Sequence, residues 1–271
     1  MSRTSATARY NTFRIRTARP HVRAALLSFT PLLAFSWVVV GQESSRRFAL
    51  ETAAGLRLHN VTAESATLQG KKGVRVRMSE AAVQRLASMT AEEQAKVATF
   101  GSPVEQLAVI EGLEFANGTI EAEVAGAPAA GASAGARGFV GLAFRLQADM
   151  RTYDAFYLRP TNGRADDQVR RNHSAQYIAH PDWPWFRLRK ETPEKYESYV
   201  DLVPGEWTKI KIEVRGTQGR LFVHGQPQPT LVVNDLKSGP AGKGAIALWL
   251  DTGTEAHFRD LTITREPTPK P

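Results

Sequence analysis

"GEWTKIKIEVRGTQGRLFVHG", residues 205 to 225, changes character every second residue. Ile210, Ile212 and Val214 fall on one side and Lys209, Lys211 and Glu213 on the other, the pattern of a strand with one buried face. "GTQG" then interrupts the alternation before "RLFVHG", so the stretch reads as a β-hairpin. The same reading extends outward. "GVRVRM" sets Val74, Val76 and Met78 against Arg75 and Arg77, and "GTIEAEV" sets Ile120, Ala122 and Val124 against Glu121 and Glu123. "FVGLAFRL" and "DAFYLRP" make a strand pair joined through "QADMRTY", and "GAIALWL", a turn at "DTGTE" and "AHFRDLTI" end the pattern. One helix stands out: "SEAAVQRLASMTAEEQAKVATFG" predicts a helix over 79–98, with Ser79 as N-cap and Val83, Leu86 and Met89 at helical spacing. Many short strands, one inserted helix and no strand–helix rhythm predict an all-β, two-sheet antiparallel sandwich.

Charge separates the chain into two parts. Residues 1–41 hold six arginines and no acid, and the remaining 29 basic and 27 acidic residues nearly cancel. A protein that tracks phosphates keeps its basic excess in the folded part, so no nucleic-acid partner is expected. Arginines, then the apolar run "AALLSFTPLLAFSWVVVG" (24–41), then polar "QESSRR" is the order of a secretory signal, with a mature chain beginning near Gln42. An uncleaved membrane anchor and an organellar transit peptide remain open alternatives, and the first is the only route to a membrane. A secreted or periplasmic location is therefore expected, or a membrane-anchored extracytoplasmic one. The chain has no cysteine, so stability must come from core size in a domain spanning 48–265, followed by a disordered tail at 266–271.

"NGTIEAEV", "GFVGLAFR", "AFYLRP", "GEWTKIKIEVRGTQGRLFVHGQ" and "GAIALWLDTGTEAHFRDLTI" in succession resemble the concanavalin A-like lectin/glucanase superfamily. Laminin-G-like domains and bacterial keto-disaccharide hydrolases are the most similar groups. The resemblance implies a jelly roll whose concave sheet and rim loops hold carbohydrate. It also marks the helix 79–98 and the segment 160–200 as additions to the minimal pattern.

That segment includes "RRNHSAQYIAHPDWPWFRLR", residues 170–189, which is poor core material. If strands alternate, Tyr157 and Arg159 share a face with Glu197 and Tyr199, and Asn162 and Arg164 sit at the strand exit. The loop would bring Arg170, Arg171, Asn172, His173, Tyr177, Trp183 and Trp185 to that face. Aromatic faces beside planar hydrogen-bonding groups suit sugar rings, which stack through C–H and pair through hydroxyls. A carbohydrate is thus the expected ligand. The structural alternative is that these groups staple a long loop.

For catalysis the candidates are Glu197, His173 and Arg171. The resemblance to keto-disaccharide hydrolases implies elimination from an oxidised sugar, for which one base and one oxyanion-stabilising group suffice. No E-x-D-x-x-E run is present, which speaks against a paired-carboxylate glucanase. "GASAG" (131–135) matches a nucleophile-elbow pattern but lies in an Ala/Gly loop, so Ser133 is read as coincidence. The six histidines are scattered, and no metal site or cofactor is expected; calcium is the one exception, through Asp166, Asp167 or Asp251.

Overall fold

The computed structural model describes residues 44–93 and 104–266. The leader 1–41, residues 94–98 of the expected helix and the tail from 267 lie outside them. Two antiparallel sheets make up the fold. The larger runs β13 (Leu231–Val233), β12 (Gln218–Val223), β11 (Thr208–Arg215), β6 (Gly118–Pro128), β15 (Thr254–Arg265), β4 (Lys71–Met78) and β3 (Val61–Leu68), with β1 (Ser44–Phe48) also paired to β15. The smaller runs β10 (Glu197–Ser198), β9 (Ala175–His180), β8 (Tyr153–Leu158), β7 (Val140–Leu146), β14 (Ala245–Leu250), β5 (Leu107–Ile110) and β2 (Leu56–His59). This is the jelly-roll sandwich that the resemblance implied, and it takes in Ser44–Phe48 ahead of the expected start at 48.

The alternation read in the sequence is the physical basis of the core. Val74, Val76, Ile120, Val124, Ile210, Ile212 and Val214 are all fully buried between the sheets. The 205–225 hairpin pairs as read, Ile210 with Val223 and Arg215 with Gln218. From the smaller sheet, Phe156 reaches across the sandwich: a Cβ on Gly219 of β12 would stand 2.9 Å from its ring. That glycine leaves the room the ring occupies.

Two expectations change. The helix is not continuous over 79–98. Helix α1 spans Glu80–Ala87, capped by Ser79 as expected, and Val83 is exposed. Thr90 then begins a second helical segment at 91–93, because its hydroxyl accepts from the Glu93 amide while the Glu93 carboxylate accepts from the Thr90 amide. This reciprocal cap competes with helix continuation. The segment 160–200 is also more than an addition, since it supplies β9 and β10 to the sheet. Helix α2 (Gln168–Asn172) precedes β9, and α3 (Trp185–Glu191) lies between β9 and β10. β10 ends at Ser198, and just past it the Ser174 hydroxyl accepts from the Val200 amide at 2.7 Å and donates to its carbonyl at 2.9 Å.

Candidate functional site

Strand register sets the site. Leu107, Trp249, Gly141, Tyr157, Gln176 and Glu197 are direct cross-strand neighbours, forming one row across the outer face of the smaller sheet. Gly141 is the low point of the row. A Cβ there would lie 2.5 Å from the Tyr157 Cβ, so only glycine lets the Tyr157 and Trp249 rings meet over it, 4.7 Å apart. Helix α3 and the preceding turn 181–184 lie alongside this face. Arg189 of α3 clamps Glu197 through both carboxylate oxygens, at 2.8 and 2.5 Å. Arg159 lies under Trp185, its guanidinium 5.3 Å from that ring and 4.8 Å from the Phe139 ring.

Tyr157 and Arg159 are therefore covered, at 1 % and 5 % exposure, and burial pushes the Tyr157 phenol up to about 12. The Arg159 Nη2 donates to the Tyr157 hydroxyl and to the Gln176 side-chain Oε1, both at 2.8 Å. Beside them is a hollow of about 60 Å³ lined by Glu105, Tyr157, His180, Trp185, Trp249 and Asp251. Glu105 is saturated there, accepting from the Tyr153 hydroxyl at 2.5 Å and lying 2.9 Å from His180 Nδ1. Burial pushes the Asp251 carboxyl up, and the charge of Glu105 adds to that.

His180 also borders a larger cleft of about 530 Å³. Its walls include Gln147, Thr152, Asp182, Trp183, Lys237, Ser238 and Lys243. The run 180–185 is thus a partition, with Trp183 facing the cleft and Trp185, 38 % exposed, facing the hollow. Lys237 stands 4.5 Å from the centre of the Trp183 ring and Arg187 3.9 Å from it.

The structure distributes the remaining residues singled out in the sequence among several jobs. His173 Nε2 comes within 3.5 Å of Glu197, and burial lowers its pKa against the opposing pull of that carboxylate. Arg171 turns away from Glu197 and donates to the Tyr199 hydroxyl at 2.9 Å. Arg164 forms a two-toothed pair with Asp201, both at 2.8 Å, and Arg170 reaches the Thr161 carbonyl at 3.5 Å. Asn162 is buried and donates to the His173 carbonyl, while exposed Asn172 accepts from Gln168. Tyr177 is on the opposite, inner face: it lies across from Phe156 and donates to buried Asp154 at 2.5 Å. Its place follows from parity, since it is one residue past Gln176. Asp167 caps α2 and Asp251 borders the hollow, and among the described residues no three acidic or histidine side chains group as a metal site.

Glu105, Gln176, His180, Arg189, Lys237 and Trp249 were not expected here. Trp249 sits in the apolar run "GAIALWL", where only its strand neighbours reveal which face it occupies, and Glu105 lies just ahead of β5, where only its tertiary partners reveal its place. Arg189 had a visible signal, four residues after Trp185 on what proves to be one helix.

No protein-family model matches the chain, and no curated protein matches it. Solved structures with a similar course include a carbohydrate-binding module from Bacillus subtilis (11 % identity, 76 % of this chain and 97 % of that one, TM-score 0.43). A β-glucanase from Bacillus licheniformis aligns at 12 % identity over 82 % of this chain and 98 % of its own, TM-score 0.40. A galectin from Caenorhabditis elegans aligns at 13 % over 60 % and 93 %, TM-score 0.35. Superpositions this loose say nothing about ligand or activity.

Proposed function

We propose that the chain binds a carbohydrate along the 180–185 partition, with one sugar unit in the larger cleft and a neighbouring unit against Trp185. The observation that carries this is the cleft itself. Its volume of about 530 Å³ suits a small ligand, and its walls set hydrogen-bonding side chains such as Gln147, Thr152, Asp182 and Lys237 around one indole. An apolar ligand would gain no hydrogen bond from these groups, whereas a sugar's hydroxyls can add to the bonds they already make. The arginine-then-apolar leader supports an extracytoplasmic setting for this binding, secreted, periplasmic or anchored.

A glycan panel probed with the full chain tests the reading. Trp185→Ala should weaken the bound glycan roughly 10- to 100-fold, the worth of about 1–3 kcal/mol of stacking, while the melting temperature stays close to that of the parent. Retained affinity, or collapse of the fold, defeats it.

A second reading, cleavage of a keto-disaccharide, is favoured by His173. Burial keeps its imidazole neutral and so available as a base, while Glu197 is already neutralised by Arg189. Release of monosaccharide from a 3-keto disaccharide, lost in His173→Gln, would establish it; binding without turnover would leave a lectin-like domain.

A further inference from the structure

The Arg159 guanidinium is buried without an ion-pair partner among the described residues. Its Nη2 is used twice, but Nε is buried with no acceptor, and among the described residues no carboxylate pairs with it. Of the acids around it, Glu197 is committed to Arg189 through both oxygens and Glu105 to Tyr153 and His180, while Asp251 accepts from the Thr252 amide and feels the Arg159 charge without bonding to it. Phe139, Tyr157 and Trp185 place their rings within 5.4 Å, which attracts the cation but leaves N–H donors unfilled. Leaving a buried charge unanswered is costly.

Two more arginines share the condition. The Arg170 Nε is buried without an acceptor, and its Nη2 makes only the long 3.5 Å contact to the Thr161 carbonyl. Among the described residues Arg137 donates only to carbonyls of its own loop, at Ala134 and Ala136, and its carbonyl accepts from Thr161. Burial lowers the Arg137 pKa, and the charges of Arg170 and Arg159 lower it further. Arg137 thus feels both other guanidinium groups, two of the three have orphaned donors, and Arg159, 5.3 Å from the Trp185 ring, ties this locus of positive charge to the exposed indole.

We propose that this locus is a subsite for the oxyanion of an acidic saccharide, a uronate carboxylate or a sulfate ester, whose ring lies against Trp185. It rests on the carbohydrate reading above and narrows it. Arg159 supplies the desolvated contact that discriminates acid from neutral sugar, and Arg137 and Arg170 add attraction from the rim.

The test compares oligogalacturonate with its methyl ester, and dextran sulfate with dextran, by calorimetry on the full chain, with poly-glutamate as a sugar-free polyanion. One acidic probe should bind at least about tenfold more tightly than its neutral counterpart and than poly-glutamate, and which one identifies carboxylate or sulfate. Arg159→Lys should bring that probe down to the level of its counterpart, and Arg170→Gln should weaken it several-fold. Equal affinity for acid and neutral forms would overturn the subsite while leaving carbohydrate binding intact. So would equal binding of poly-glutamate, or a preference that survives in folded Arg159→Lys. Failure of every saccharide would sink the carbohydrate reading as well. Should Arg159→Lys not fold, the acid-versus-ester comparison on the unaltered chain and the Arg170→Gln result decide.

Discussion

Two buried arginines, Arg145 and Arg159, differ in how their donors are used. Arg145 is 1 % exposed and fills all five: Nε to the Ala116 carbonyl, Nη1 to Ser238 and Gly239, Nη2 to Asn117 and Gly216. Asp154 adds an opposite charge nearby, and it accepts in turn from Ser238 and Tyr177. Arg145 therefore ties the turns before β6, before β12 and before β14 to β7. Arg159 spends one nitrogen on its own face and leaves another empty. A saturated buried cation is a structural pin; an unsaturated one is prepared for something not yet bound. Burial alone does not distinguish them, but the donor count does.

The comparison breaks most readily in stability. Arg145→Met should cost roughly 3–5 kcal/mol, because it strands several buried acceptors at once. Arg159→Met should cost less than half as much, since it removes an orphaned donor along with two hydrogen bonds. Urea denaturation of the two variants side by side checks this, and equal losses would erase the distinction.

A smaller effect follows from pH. Burial lowers the pKa of His173 and of His257, so the unfolded chain takes up protons before the folded one does. Stability from these groups is therefore full above about 6.5, the ordinary histidine value, and is lost as pH falls through the lowered folded values. Midpoints of urea unfolding between pH 7.5 and 5 should fall on the acid side, and His257→Gln should flatten the slope.

The smallest change is expected where a charge is exposed and already paired. Arg164 and Asp201 form a two-toothed bridge in solvent, and Arg164→Ala should shift stability by no more than about 0.5 kcal/mol. A glycan-binding loss in this variant would show that the bridge also shapes the site.

The residues themselves carried the sheets. Alternation at period two is a local property, because one strand face must be apolar for the sandwich to close, and Ile210, Ile212, Ile120 and Val74 announce it without reference to any partner. The same parity put Tyr157 and Glu197 on one face correctly. What alternation cannot supply is register between strands far apart in sequence. Trp249 meets Tyr157 over Gly141, and Glu105 meets His180 and Tyr153, through pairings that span tens of residues and depend on the whole sheet being assembled. Nor can composition say which arginine finds a carboxylate. Arg189 and Arg159 look alike in the chain, yet helix α3 delivers one to Glu197 while the other is left under Trp185 with a donor to spare. Fold class was legible because burial of apolar faces is additive along a strand. The state of each charge was decided only in three dimensions, because a partner is a matter of distance.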